Sequence, residues 1–183
     1  RNGAGKSTLV SALSGFTPAD SGTIRISDTT IEANGQSYAA AIRAVMGHVQ
    51  HTPRLFDQLT VAENLFVESP AVRNKFGIVS QKKTHALAAK LLNEWHMSIR
   101  ADSLAGELDA GSRQLLEIMK ALSRGVPVMI LDEPTASVDI KTRDDILHHL
   151  VHLNQQGTTI LMTTHELNSL AAHLPWVICV NRA

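Results

Sequence analysis

Arg1-Asn2-Gly3-Ala4-Gly5-Lys6-Ser7-Thr8 is the stretch whose reading decides the fold. It reads as the downstream part of a phosphate-binding loop, whose full pattern is Gly, four residues, then Gly-Lys-Ser/Thr. The leading Gly would fall one position before Arg1. The chain is therefore expected to be a piece of a longer protein that lacks the strand delivering the loop. Gly3 and Gly5 let the backbone turn its N–H groups, from Asn2 and Ala4 through Thr8, toward phosphate oxygens. Lys6 brings a charge to the β- and γ-phosphates, and the Ser7 hydroxyl can ligate Mg²⁺. A helix starting at Lys6 adds its positive end. Taken alone, the same residues also suit a Gly-rich turn before a helix.

The composition is that of a globular domain. The 183 residues are 44% hydrophobic, and Lys+Arg and Asp+Glu number 17 each. One domain with a subdomain fits this length, and the balanced charge gives no overall basic footprint for nucleic acid. The single Cys179 cannot form an internal disulfide. No apolar run approaches the roughly 18 residues that span a bilayer. The nine histidines are scattered, and His148, His149 and His152 lie on one predicted helix without a metal-ligand pattern.

Outward from the loop, the pattern predicts helix over 6–13 with Gly15 at its end, and a short strand from Thr23. A turn at Asn34-Gly35, helix over 37–44 and strand over 45–49 follow, leading to Gln50. From His51 the texture changes to short segments and a helical period over 80–96, so 52–112 reads as a mostly helical insertion. The α/β rhythm returns with helix over 112–123 and a continuous apolar run over 126–131, as in a strand buried on both faces. Helix over 140–155, strand over 158–163, helix over 166–173 and a last strand over 176–180 complete the chain. Strands alternating with helices predict an α/β fold: a mostly parallel sheet flanked by helices, with an inserted helical subdomain. The predicted division is a core of 1–51 and 113–183 and a helical subdomain of 52–112.

Val128-Met-Ile-Leu-Asp132-Glu133-Pro134-Thr135 sets two carboxylates at the end of the apolar strand. Ligands of open α/β sheets bind at such strand ends. Asp132 is thus placed to hold Mg²⁺, directly or through water. Glu133 is placed to orient the attacking water or accept its proton.

These motifs, taken with Gln50, the segment 108–122, Ser137-Val-Asp139 and His165 in Thr163-Thr-His-Glu-Leu167, occur in the order found in ATP-binding cassette (ABC) ATPases. The chain resembles that family, P-loop NTPases, over nearly its whole length. The resemblance implies MgATP binding and hydrolysis. It implies that Gln50 reaches Mg²⁺ and the attacking water and senses a transmembrane partner. His165 would contact the γ-phosphate, and Ser137 and Asp139 would lie on a loop crossing a dimer interface. Read alone, Gln50 is a polar strand end, His165 a structural histidine, and Ser137 and Asp139 an N-cap for the helix at Ile140. The segment 59–65 resembles the family's entry into its helical subdomain, which docks a membrane subunit.

One motif departs. Where the family carries Leu-Ser-Gly-Gly-Gln, this chain carries Leu108-Asp109-Ala110-Gly111-Ser112. In the family this signature touches the γ-phosphate held by the opposing cassette. A Ser hydroxyl can donate to that phosphate, whereas an ionised Asp only accepts. Two like charges ~5 Å apart at an effective dielectric of ~20 repel by about 3 kcal/mol. Asp caps a helix about as well as Ser, so folding should survive while the contact across the dimer is weakened.

Within the family, 45–51, 59–65 and 117–122 resemble bacterial importers of ribose and galactose, in which two cassettes are often fused. The resemblance implies a second cassette, transmembrane permease subunits and, indirectly, a substrate-binding protein. It places the chain peripherally on the cytoplasmic face of the membrane, and no nucleic acid is expected. The alternative is a soluble ABC ATPase acting on ribosomes or DNA. The interval between loop and signature carries no sustained heptads, which disfavours the DNA-repair form. A small-molecule kinase would leave Asp132-Glu133-Pro-Thr and His165 unexplained.

Overall fold

The computed structural model describes residues 5–18, 20–33, 38–67, 69, 72–73, 79–136 and 138–164, with the Ser7 side chain outside that description. The predicted turn at 34–35, helix over 166–173 and strand over 176–180 lie outside the described residues. So do Asn2, Gly3, Ala4, Ser137 and His165. Contacts group the chain into two units: 1–51 with 126–134 and 150–183, and 52–125 with 135–149.

In the first unit, helix α1 spans Lys6–Leu13, as predicted. Gly5 precedes it at φ 87°, a left-handed conformation that costs a glycine little. Gly15 ends the turn beyond it at φ 71°, where a Cβ would sit 3.0 Å from the Ala39 Cα. Strand β1 (Thr23–Ile26) returns at once through Ser27-Asp28 as the antiparallel strand β2 (Thr29–Glu32). The sequence reading had no second strand here. Only Ile31 of β2 is buried, so the alternation that announces a strand is absent.

Helix α2 (Tyr38–Val45) leads into β3 (Met46–Val49). With β4 (Val128–Asp132) and β5 (Thr159–Thr163) it forms a parallel sheet in the order β3-β4-β5. The central strand carries Met129, Ile130 and Leu131, each at 0% exposure, so both faces of the apolar run are covered. Val10 of α1, Ile31, Ile42 of α2, Met46 and Ile130 share one core cluster. Truncating a residue of this kind to Ala costs about 2–5 kcal/mol. The buried Tyr38 hydroxyl donates to the Ala12 carbonyl and ties α2 to α1.

The second unit is helical. It contains α3 (Val61–Phe66), α4 (Gln81–Glu94), a 3-10 turn (Ala105–Glu107), α5 (Ala110–Leu122) and residues 140–149 of α6 (Ile140–Gln155). Helix α3 opens with a capping box. The Thr60 N–H donates to Glu63 Oε2 at 2.8 Å, and the Glu63 N–H donates to Thr60 Oγ1 at 3.2 Å. The fully buried Asn64 closes the preceding loop. Its Nδ2 donates to the carbonyls of Phe56 and Thr60 at 3.0 Å each, and its Oδ1 accepts the Phe56 N–H at 2.8 Å.

The sequence reading ended the helical part at 112, whereas the contacts carry it to 125 and add 135–149. The reason lies on α5, whose Leu115, Leu116, Ile118 and Met119 are buried. Its cations also reach back to the loop before α3. Arg113 pairs with Asp57 at 2.6 Å, and the Lys120 ammonium donates to the Arg54 carbonyl at 2.7 Å. Contacts between residues so far apart in the chain leave no periodicity to read.

Candidate functional site

The sheet register assembles the first group of side chains. Val49 pairs with Leu131, and Asp132 pairs with Thr163. The strands are parallel, so Asp132 and Thr163 stand side by side at the carboxyl ends of β4 and β5, about 4.8 Å from strand to strand, and Gln50 directly follows the last residue of β3. The Thr163 hydroxyl donates to Asp132 Oδ1 at 2.5 Å. The Glu133 N–H donates to the Thr163 carbonyl at 3.2 Å and approaches its Oγ1 at 3.1 Å. Glu133 itself adopts φ 47°, a region that few non-glycine residues occupy. The chain thus turns sharply after β4, and Thr163 braces both carboxylate-bearing residues. In the sequence Thr163 reads only as a strand end. Its position two residues before His165 was the only signal for this role.

Lys6, Ser7 and Thr8 form the first turn of α1, where helix N–H groups lack intrahelical acceptors and the dipole is positive. That turn carries no acidic side chain, so nothing in it repels an anion. Mg²⁺ suits the donor set. Among the described residues the Asp132 carboxylate has only Oδ1 engaged, by Thr163. An Asp, a Gln and a Ser are hard oxygen donors, and one carboxylate supplemented by substrate phosphates is a common Mg²⁺ arrangement.

The second group lies at the helix starts of the helical unit. Asp109 caps α5. Its Oδ1 accepts the Ser112 N–H at 2.8 Å, and its Oδ2 accepts the Ser112 hydroxyl at 2.8 Å. These bonds, the backbone one first, hold its carboxyl below the usual range. Asp139 repeats the pattern at α6, accepting the Thr142 N–H at 3.1 Å and the Thr142 hydroxyl at 2.6 Å. Here the hydroxyl is the larger cause of the lowered pKa. Asp109, Ala110 and Asp139 are exposed, Leu108 and Ser112 are half-buried, and Gly111 is buried. A cavity of ≈ 470 Å³ opens beside these caps, with Trp95, Met97, Asp109, Ser112, Thr142 and His148 in its wall. Trp95 stacks on His149 with ring centroids 4.2 Å apart. Neither that stack nor Thr142 was foreseen from the sequence.

The sequence profile of the ABC transporter family matches residues 1–136. The chain is 33% identical to a ribose import ATP-binding protein of Halalkalibacterium halodurans, a match covering 92% of this chain and 34% of that protein. It is 34% identical to an arabinose import ATP-binding protein of Pseudomonas syringae pv. syringae, covering 92% of this chain and 32% of the relative. The chain thus spans about a third of the length of the curated relatives it matches. Among solved structures, it superposes on a dimeric ATP-binding cassette in a post-hydrolysis state with ADP and phosphate. That match has a TM-score of 0.74 and 26% identity, covering 92% of this chain and 73% of the other. A second match is the ADP conformation of an ATP-binding cassette of an ABC transporter, with TM-score 0.76 and 29% identity, covering 94% of this chain and 70% of the other.

The fold is that of a P-loop ATP-binding cassette, and the chain belongs to the ABC transporter family.

Proposed function

We propose that this chain is the ATP-hydrolysing cassette of an importer, with a ribose- or arabinose-like sugar as the cargo of the whole assembly. The observation that supports the reading is the parallel register of β3, β4 and β5, with Gln50 one residue beyond the Val49–Leu131 pair and Asp132 at the end of β4, followed directly by Glu133. The names of the ribose and arabinose relatives support the cargo class. In this reading the start of α1 cradles the triphosphate, and Lys6 neutralises its charge. Asp132 and Ser7, with Gln50, would hold Mg²⁺, which when bound screens the charge that develops on the phosphate oxygens. Glu133 takes a proton from water as the water oxygen bonds to the γ-phosphorus. The bond from that phosphorus to the β,γ-bridging oxygen breaks, and ADP keeps the electron pair. His165 would hold the γ-phosphate in line.

Segments 108–112 and 137–139 would face a second cassette. Permease subunits would dock on the helical unit and receive sugar from a substrate-binding protein, with the cassette on the cytoplasmic side of the membrane. No helix among the described residues is long and apolar enough to cross a membrane.

The test uses the full-length protein in its membrane assembly. Glu133→Gln should bind MgATP about as tightly as wild type and hydrolyse it ~10²–10⁴-fold more slowly, the usual loss of a general base. Lys6→Ala should weaken binding, because a charge-assisted contact is removed. Normal turnover in Glu133→Gln would move the base elsewhere. Unchanged affinity and turnover in Lys6→Ala would remove the phosphate-loop assignment.

A further inference from the structure

The starts of α5 and α6 touch at one point, and the contact is tight enough to specify the residue on each side. A Cβ built on Gly111 would lie 2.6 Å from Thr142 Cγ2 and 3.0 Å from Thr142 Oγ1. Real Cβ atoms do not approach that closely, so position 111 admits only glycine while Thr142 stays where it is. Thr142 is also held. Its Oγ1 donates to Asp139 Oδ2 at 2.6 Å, and its N–H donates to Asp139 Oδ1 at 3.1 Å. A β-branched side chain in a helix has few χ1 choices, and turning Cγ2 away would break the bond to Asp139. Across the contact, Asp109 fixes the start of α5 through the same two bonds to Ser112, and its Oδ1 is 3.3 Å from the position of that hypothetical Cβ. Two carboxylate caps therefore hold two helix starts, and nothing larger than a glycine hydrogen separates them.

We propose that Thr142 is a positioning residue. By packing into the space left by Gly111, it locks the signature turn 108–112 and Asp139 with the start of α6 into one rigid piece that meets the opposing cassette together. The proposal rests on the cassette reading above and deepens it. The acidic tips Asp109 and Asp139 are exposed, while Gly111 is buried and Thr142 half-buried.

The experiment measures single-turnover ATP hydrolysis in the full assembly, separately at this chain's own loop and at the partner's loop. The other loop is silenced each time by a Lys-to-Ala change. Gly111→Ala should lower the ratio of partner-site to own-site turnover roughly 10- to 100-fold, the scale of a misplacement of about 1 Å. Thr142→Ser removes Cγ2 and keeps the hydroxyl. Added to Gly111→Ala, it should bring the ratio back to within about threefold of wild type, because residues in contact couple non-additively. A merely structural defect would slow both sites and leave the ratio alone. An unchanged ratio in Gly111→Ala, or a double variant no better than the single, overturns the proposal while leaving the cassette reading intact. If Gly111→Ala alone does not fold, recovery of folded, active protein in the double variant supports the proposal, and failure to recover overturns it. A wild-type assembly without ATP turnover would overturn the functional reading and this inference with it.

Discussion

Glu133 holds its carboxylate on a backbone at φ 47°, a conformation that costs a non-glycine residue on the order of 1–2 kcal/mol. The two contacts of its N–H with Thr163 offset part of that cost. The same threonine hydroxyl orients Asp132. Thr163 thus touches both residues, at the carboxylate of Asp132 and at the backbone N–H of Glu133. At the same scale, Asn64 shows what a buried polar residue does for a loop. It is 0% exposed and bonded to Phe56, Leu59 and Thr60. Asn64→Leu should leave the Phe56 N–H without its Oδ1 partner, at about 1–3 kcal/mol, while the Phe56 carbonyl keeps the Leu59 N–H. At about 2–4 °C per kcal/mol for a domain of this size, thermal unfolding should shift down by about 2–12 °C. A melting curve that matches wild type would show that water replaces the amide.

The helix starts share a chemistry. Glu63, Asp109 and Asp139 each accept hydrogen bonds at a helix N-terminus, and each is held below its ordinary pKa by them. The largest cause for Glu63 and Asp109 is a backbone bond, and for Asp139 it is the Thr142 hydroxyl. A carboxylate whose folded-state value is depressed contributes stability above its unfolded value and loses it as pH falls through the folded value. Their contribution should therefore be constant from about pH 7 to about pH 5 and decline below about pH 4. Asp109→Asn keeps a capping oxygen but does not titrate. It should make the acid limb of the unfolding midpoint shallower and leave neutral stability nearly unchanged. An acid limb identical to wild type would assign the loss to other carboxylates. The element boundaries follow the same logic. Helices α1 and α6 start and end where their apolar period and end signals put them, and α5 starts two residues before its predicted start. The strand β2 was not legible, because a strand with one buried residue has no alternation to show.

For the whole molecule, the departure at Asp109 bears on how two cassettes share the work. Asp109 caps α5 with both oxygens on Ser112, so it stays a carboxylate at neutral pH and offers no donor to an opposing phosphate. In the proposed assembly the nucleotide on this chain's own loop turns over normally when the partner supplies an intact signature. The nucleotide facing Asp109 turns over slowly. Single-turnover hydrolysis with each loop silenced in turn should show one fast and one slow site. Asp109→Ser should speed the slow one. Equal rates at both sites, or a fully active homodimer, would make Asp109 a helix cap and nothing more.

The sequence by itself determined the order of strands and helices apart from β2 and α3, the glycine and Lys-Ser-Thr run that opens α1, and the acids at the end of the apolar strand. These depend on residue type and local spacing, which the chain carries in its own order. It also showed that the signature segment departs from its family. Only the tertiary structure decided what braces those groups. Thr163 reaches Asp132 across 31 positions and Arg113 reaches Asp57 across 56. A Cβ at Gly111 would meet Thr142 Cγ2 at 2.6 Å. Such contacts depend on which surfaces the packed elements present to each other, and no spacing along the chain records that.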